Sequence, residues 1–527
     1  MPQQKQEAII VGGGHNGLVC ANYLAMAGIK VRVLEARRVV GGAAVTEEFH
    51  PGFKNSVAAY TVSLLNPKVI ADLELHKHGL EIVHRRVNNL WPHNDENFLA
   101  FPVGAQKLKE EIALFSQGDA NALSRYSRDV GMAADLIRGF LLETPPNAGG
   151  GLRDVFKAAK FGNRLRKLSL EDQRIVTDIF TKSVADFLAM YFENDYVKGA
   201  FAFDGIVGNY ADTHSAGTAY VLMHHAFGEV NGKKGVWGHA IGGMGAITQA
   251  MAASAKQKGV VIDTSCAVEK VLIENGKAYG VQLENGDVLK AKIIASNLNP
   301  SLLYSKLVDE QHQPKDFARR IKHYKNGSGT FRMNVALNEL PQFTCLNKQQ
   351  RSTSDHLTGG IIIGPTMGYL DQAYRDARQF GWSKAPIVEM LIPSTLDDTL
   401  APQGQHVASL FCQQFDPDVD WDKHRDKVAD LIIDQVEKYA PGFKSSVVGR
   451  QILSPLDLER TFGLTRGDIM HGALSLDQMF SARPMLGFGN YRSPVKGLYM
   501  CGSGTHPGGG VTGAPGHNAA HEIIRDH

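Results

Sequence analysis

The sequence predicts an α/β fold in which a Rossmann-like nucleotide-binding domain is interleaved with an α+β domain of mixed sheet and helices. Three observations carry this. Residues 7–35 read as strand, glycine turn, helix and strand. Residues from about 106 to 200 are patterned mostly as amphipathic helix. Short apolar runs bounded by turns recur over 260–295 and again between 331 and 415. A chain of 527 residues is also too long for one compact core, so two large domains are expected.

The first element is the apolar run Ala8–Val11. The helical pattern Leu18–Ala27 follows, ended by Gly28, and then the second apolar run Val31–Leu34. Gly12, Gly14 and Gly17 form GxGxxG between strand and helix. The first glycine permits a tight turn, the second lets a pyrophosphate approach the backbone, and the third lets helix and strand pack closely. The phosphates then meet free N–H groups at the positive end of the helix. Glu35 ends the second strand, where a carboxylate accepts ribose hydroxyls and repels a 2′-phosphate. Strand, turn, helix, strand and acid in this order point to a dinucleotide and argue against NADP.

The next residues separate FAD from NAD. Glu35, Arg37, Gly41 and Gly42 spell ExRxxxGG, which resembles the extended FAD signature of glutathione-reductase-like flavoproteins. That resemblance implies that Arg37 meets ribose or phosphate and that Gly41-Gly42 lies beside the ribityl chain. GGMG at 242–245 opens a helix but follows no strong apolar strand, so a second nucleotide domain is not expected. In the flavoproteins it resembles, this helix returns the chain to the FAD domain. The strand after it sets a valine backbone against adenine, the position that Val268 matches. Residues 291–300 resemble the last strand of the repeat, ending below the flavin.

Further along, Asn275-Gly276 and Asn285-Gly286 mark a β-meander over 260–295. Residues 331–337, 387–394 and 406–415 read as strands of another sheet. Residues 423–440 read as a helix closed by Pro441-Gly442. The expected division is 1–85, 236–300 and 480–527 for the nucleotide-binding domain, and 86–235 and 301–479 for the substrate domain with its helical insertion.

The chain resembles the phytoene desaturase-like branch of the FAD-dependent amine oxidase superfamily over nearly its whole length. The likeness rests on GGGHNGLVCANYLA and GGAAVTE, on AYVLMHHAFGEVNGKKGVWGHAIGGMGA, on IPSTLDDTLAPQGQHVASLFCQ, on SPLDLERTFGLTRGDIMHG and on GLYMCGSGTHPGGGVTGAPG. It implies FAD as cofactor and hydride transfer to flavin N5 from a lipophilic, unsaturated, carotenoid- or lipid-like substrate, as desaturase, oxidase or isomerase. The alternatives are an FAD amine oxidase and a non-enzymatic lipid- or prenyl-binding protein on the same fold. The resemblance further sets the Gly502-Ser503 turn by the ribityl chain and lets Gly508–Gly510 clear the flavin ring. A helix starting near Val511–Gly513 then aims its N–H groups at the N1–C2=O edge of the flavin. Leu498–Cys501 reads as a strand returning beside the N-terminal unit.

No catalytic residue stands out, because a polyene stabilises its own cation. The weak candidates are His506, Thr505 and His225, with loop anchoring the competing reading for His506. Trp237 reads as packing, and Arg483 as a salt-bridge former or a carboxylate or phosphate anchor. Residues 151–168 interleave six basic residues with apolar ones, a pattern for peripheral contact with an anionic bilayer or for a packed helix with a solvated basic face.

Composition excludes other classes. Lys plus Arg number 56 against 54 Asp plus Glu, which gives no basic stripe for nucleic acid. The five cysteines form no CxxC pair, so no disulfide scaffold, zinc or other metal site, or redox-active dithiol is expected. The short polar start leaves no room for a signal or transit peptide, and no apolar run spans a bilayer. A cytoplasmic location, with membrane association as an option, is expected. Homo-oligomerisation is left open.

Overall fold

The structure is a computed structural model that describes residues 6–527; the first five residues of the polar start lie outside the described residues. Its nucleotide-binding side is a five-stranded parallel sheet. The strand order is Val261–Asp263, Val31–Leu34, Ala8–Val11, Ile293–Ser296 and Leu498–Met500. Side chains alternate across each strand and build two cores. Ala8, Ile10, Val31, Val33, Ile293 and Ala295 meet the helices His15–Met26, Met244–Gln257 and Ala514–Asp526 on one face. Ile9, Val11, Leu34 and Ile294 meet the meander Val268–Glu274, Lys277–Leu283 and Val288–Lys290 on the other. The first meander turn is as its Asn-Gly pair requires, with Asn275 and Gly276 both at positive φ, 50° and 73°, whereas in the second only Gly286 is, at 88°.

Two expectations shift. Ile293–Ser296 is an inner strand, paired with Ala8–Val11 on one side and Leu498–Met500 on the other. The C-terminal strand is therefore one strand removed from the βαβ unit, at the sheet edge. The strand expected at 387–394 runs Trp382–Leu391, and Pro393 opens a 3₁₀ turn.

The second sheet is mixed and seven-stranded. Its order is Val447–Leu453, Phe331–Leu337, His406–Phe415, Trp382–Leu391, Gly360–Ile363, Val87–Pro92 and Phe98–Pro102. Only Gly360–Ile363 and Val87–Pro92 pair in parallel. One face packs Phe331, Met333, Val335, Val388, Met390, Leu410 and Cys412 against the helix Trp421–Glu437. The alternation that sends those residues to the helix sends Arg332, Asn334, Glu389, Ser409 and Phe411 to the opposite face. A helical layer, from Ala105–Ala113 through Asp195–Ala202 together with Thr218–Ala226, closes over that side.

Candidate active site

Two adjoining cavities lie between the sheets. The first, of about 400 Å³, is lined by Gly12, Gly14, Glu35, Arg37, Gly41, Gly42, Val268, Asn297 and Ser503 among others. Here the βαβ unit, the ExRxxxGG segment and the meander converge, although they span more than 250 residues of sequence. Glu35 Oε2 accepts the Gly13 N–H at 2.8 Å and Oε1 accepts the Arg37 N–H at 2.9 Å, so the carboxylate is fixed at the strand end. The Gly41 N–H donates to the Gly13 carbonyl at 2.9 Å, which ties the two glycine segments together. Arg37 donates to both oxygens of Glu47 at 2.8 and 2.9 Å and lies 4.8 Å over the Phe462 ring.

Gly17 does not line the cavity. A Cβ there would stand 2.3 Å from the Gly12 carbonyl oxygen, so this glycine serves the close approach of helix and turn. At Gly14 a Cβ would meet Asn297 Nδ2 at 2.5 Å, which makes Asn297 a wall of the same cradle. Asn297 follows the strand Ile293–Ser296 and carries no sequence signal of its own.

These residues fit a dinucleotide. Around the cavity, Arg37 Nη1, His15 Nε2, Asn16 Oδ1 and His471 Nδ1 are buried with no hydrogen-bond partner in the protein. Unpartnered polar atoms beside a helix N-terminus are what a phosphate- and ribose-bearing ligand satisfies.

The C-terminal segment departs from expectation. Gly508–Gly510 make room chiefly for protein. A Cβ at Gly508 would meet Leu474 and Arg483, at Gly509 Met470, and at Gly510 Leu64 and His224. Of these three only Gly510 lines a cavity, together with Val511. Gly502 backs onto Asn297, where a Cβ would stand 2.4 Å from its carbonyl oxygen. Ser503 lines both cavities, but its Oγ accepts from Asn16 Nδ2 at 2.9 Å. The helix starts at Ala514, capped by Gly513.

His506 and Thr505 line neither cavity. The His506 ring meets the Phe140 carbonyl at 3.1 Å, and Thr505 donates to the Gly502 carbonyl at 2.8 Å. Both hold the loop. Burial pushes His506 down to about 4, so it stays neutral. Arg483 is neither a salt-bridge former nor a ligand anchor. It is fully buried, and its guanidinium donates to the carbonyls of Ser503, Gly472, Ala473, Gln478 and Met470. It knits the C-terminal loop to residues 470–478.

The second cavity, of about 140 Å³, shares His15, Ala43, His471 and Ser503 with the first. His225 and Trp237 are on its wall, stacked at 6.2 Å, and His225 Nδ1 donates to the Val221 carbonyl at 2.8 Å. Burial lowers His225 and, with His225 and Arg483 adding to it, brings His224 to about 3. Burial likewise brings His15 to about 3 and His471 to about 4. All four imidazoles are neutral at physiological pH.

The sequence reading missed the charged residues of this cavity. Tyr60 donates to Glu389 Oε2 at 2.5 Å, and its ring stacks on Phe411 at 5.4 Å. Arg85, Asp204 and Glu389 all line the wall. Burial raises Glu389, and burial followed by the charge of Glu389 pushes Asp204 up to about 7. For Glu389 the signal was a single charge inside an otherwise apolar run, IVEMLI. Arg85 and Asp204 sit outside strands and gave no such signal.

Cys20 and Cys501, 481 residues apart in sequence, meet beneath the sheet. The hydrogen bond between the thiols, then burial, raises Cys20 well above the usual thiol range, so the pair is poorly suited to thiolate chemistry. Among the described residues no cluster of His, Cys, Asp and Glu suits a metal ion, and no helix is long and apolar enough to cross a membrane.

Comparison with known proteins agrees with this geometry. Residues 17–524 match the family of flavin containing amine oxidoreductases. The chain is 39% identical over 551 residues to pyridine nucleotide-disulfide oxidoreductase domain-containing protein 2 of Rattus norvegicus, covering 99% of this chain and 93% of that one. It is 25% identical over 538 residues to the lycopene-forming phytoene desaturase of Pseudescherichia vulneris, covering 96% of each. Among solved structures, a triple mutant of putrescine oxidase shares the fold with a TM-score of 0.62 at 15% identity, over 99% of this chain and 98% of that one.

Proposed function

The chain belongs to the flavin containing amine oxidoreductase family and is an FAD-dependent oxidoreductase, and on this premise we propose that it acts on a lipophilic, unsaturated substrate of carotenoid or lipid type, as a desaturase, oxidase or isomerase. The observation that carries the reading is the second cavity. It opens from the nucleotide cavity, and Leu64, Phe203, Val207, Phe411, Ile469 and Met470 supply most of its apolar wall. Kinship with a phytoene desaturase over 96% of the chain supports the substrate class.

FAD, when bound, supplies the acceptor for a hydride leaving a substrate carbon. The chain's own residues bind and orient. In this reading residues 1–85, 236–300 and 480–527 hold the cofactor, and 86–235 with 301–479 build the substrate side. Gly12 and Gly14 would present the helix N-terminus to the pyrophosphate, and Glu35 and Arg37 would hold the ribose and phosphate. Gly41 and Gly42 would take the ribityl side, Val268 the adenine, and Ser503 and Val511 the flavin. The neutral imidazoles of His224 and His225 leave the apolar slot free of added positive charge.

The helix Leu152–Arg166 is proposed as a peripheral contact with an anionic bilayer, a route for a lipophilic substrate. Leu152, Val155 and Phe156 share one face and are 80%, 61% and 75% exposed. Lys157, Lys160 and Arg164 are paired with Asp154, Glu143 and Glu522, which leaves Arg153, Arg166 and Lys167 as charges free of ion pairs among the described residues.

The test is the visible spectrum of the purified protein, followed by anaerobic reduction with candidate polyenes and amines. Bound oxidised flavin that polyenes reduce supports the proposal. Reduction by amines with release of peroxide favours the amine oxidase alternative. A folded, colourless protein that takes up no FAD returns the chain to the binding-protein reading.

A further inference from the structure

The second cavity is apolar over most of its wall, yet it presents a buried guanidinium without a counter-ion. Arg85 follows the strand Ile82–His84 and is 6% exposed. Its one hydrogen bond within the protein runs from Nη2 to Thr61 Oγ1 at 2.5 Å, and among the described residues no carboxylate lies within 4.0 Å of it. The Trp237 ring, 5.8 Å from Cζ, flanks the guanidinium.

The charges nearby do not balance. Arg332, fully buried, lies 4.4 Å over the Tyr60 ring. It donates to the Ala58 carbonyl and to Ser409 Oγ, and its Nη1 is left without a partner. Both guanidiniums feel a single buried carboxylate, Glu389, which already accepts from Tyr60. Asp204 adds only a partial negative charge, because burial keeps it protonated up to about pH 7. A buried cation lacking a close partner carries a large desolvation cost, which an entering anion offsets.

Resting on the flavin-enzyme reading above, we propose that Arg85 anchors the carboxylate of an apolar-bodied substrate, whose hydrocarbon part runs along Leu64, Phe203, Phe411 and Met470. A planar guanidinium with open N–H groups suits a carboxylate in bidentate geometry. A cationic amine would meet the charge of Arg85. A plain hydrocarbon would leave Arg85 unpaired in a drier cavity than before. The substrate class is therefore a long-chain or polyene carboxylic acid rather than a hydrocarbon or an amine.

The test uses the full chain as purified and three probes of one length: decanoate, decanamide and decylamine. Isothermal calorimetry measures affinity, and the flavin difference spectrum reports whether binding reaches the cofactor. Wild type is expected to bind decanoate at least tenfold more tightly than decanamide. Arg85→Met is expected to weaken decanoate by about 10- to 100-fold, the worth of a charge-assisted hydrogen bond, and to change decanamide less than about threefold. Arg85→Lys keeps the charge and is expected to retain most of the preference. Equal affinity of wild type for acid and amide, tighter binding of the amine, or an equal loss of acid and amide in Arg85→Met overturns the inference. The wild-type comparison decides the matter even if Arg85→Met does not fold. Calorimetry reads binding with or without flavin, so a colourless protein counts against the cofactor reading alone.

Discussion

Gly17→Ala tests the contact on which the nucleotide site is built. The new Cβ would stand 2.3 Å from the Gly12 carbonyl oxygen, a backbone atom that no rotamer change can remove. Real Cβ contacts essentially never fall under 3.0 Å, so helix and turn must separate by about 0.7 Å or more. Overpacking of this kind costs about 1–3 kcal/mol of stability. The same shift moves the N–H groups at the start of His15–Met26, which the pyrophosphate would use. Losing one or two hydrogen bonds to a charged group costs about 1.5–3 kcal/mol each, so FAD affinity is expected to fall by about 100-fold. The ratio of flavin to protein absorbance after purification checks this, as does fluorescence titration of the apoprotein with FAD. Gly28→Ala is the control, since a Cβ at Gly28 meets nothing within 4 Å, although its φ of 83° adds some strain. A Gly17→Ala protein with full flavin content and unchanged melting temperature would refute the reasoning.

Two further outcomes are expected. Burial pushes Asp204 up to about 7 in the folded chain from its ordinary value of 3.8, so between those values the folded state holds more protons than the unfolded state. Its contribution to stability is therefore fully present at low pH and declines as pH rises towards 7, by about 2–4 kcal/mol. Asp204→Asn, which cannot ionise, is expected to melt a few degrees above wild type at pH 8 and level with it near pH 4.5; scanning calorimetry showing a pH-independent difference would count against the assignment. On the helix Leu152–Arg166, replacing Leu152, Val155 and Phe156 together by serine is expected to lower co-sedimentation with phosphatidylserine-rich vesicles by about tenfold and to leave flavin content unchanged. Undiminished sedimentation would show that this face is not the contact.

The sequence by itself determined the features that depend on neighbours in the chain. Ala8–Val11, the glycine turn and Val31–Leu34 are legible because apolar periodicity and glycine spacing are local. Glu35 is legible because it ends a strand of that unit. The meander turns are legible because Asn-Gly pairs mark tight turns, the glycine of each taking positive φ. Local signals could not say what the glycines of 508–510 face: their neighbours, Leu64, His224, Met470, Leu474 and Arg483, come from as many as four separate segments. His506 looked like a site residue until the Phe140 carbonyl, 366 positions away, claimed its ring. The charged wall of the second cavity has the same origin. Tyr60, Arg85, Asp204 and Glu389 come from four segments, and each alone reads as an ordinary polar residue or an oddity within a strand. Tertiary structure decided their meeting, because the pleat turns Glu389 from the Trp421–Glu437 helix towards the space beside the nucleotide cavity. Burial there gives these charges their chemistry, and burial is a property of the assembled fold.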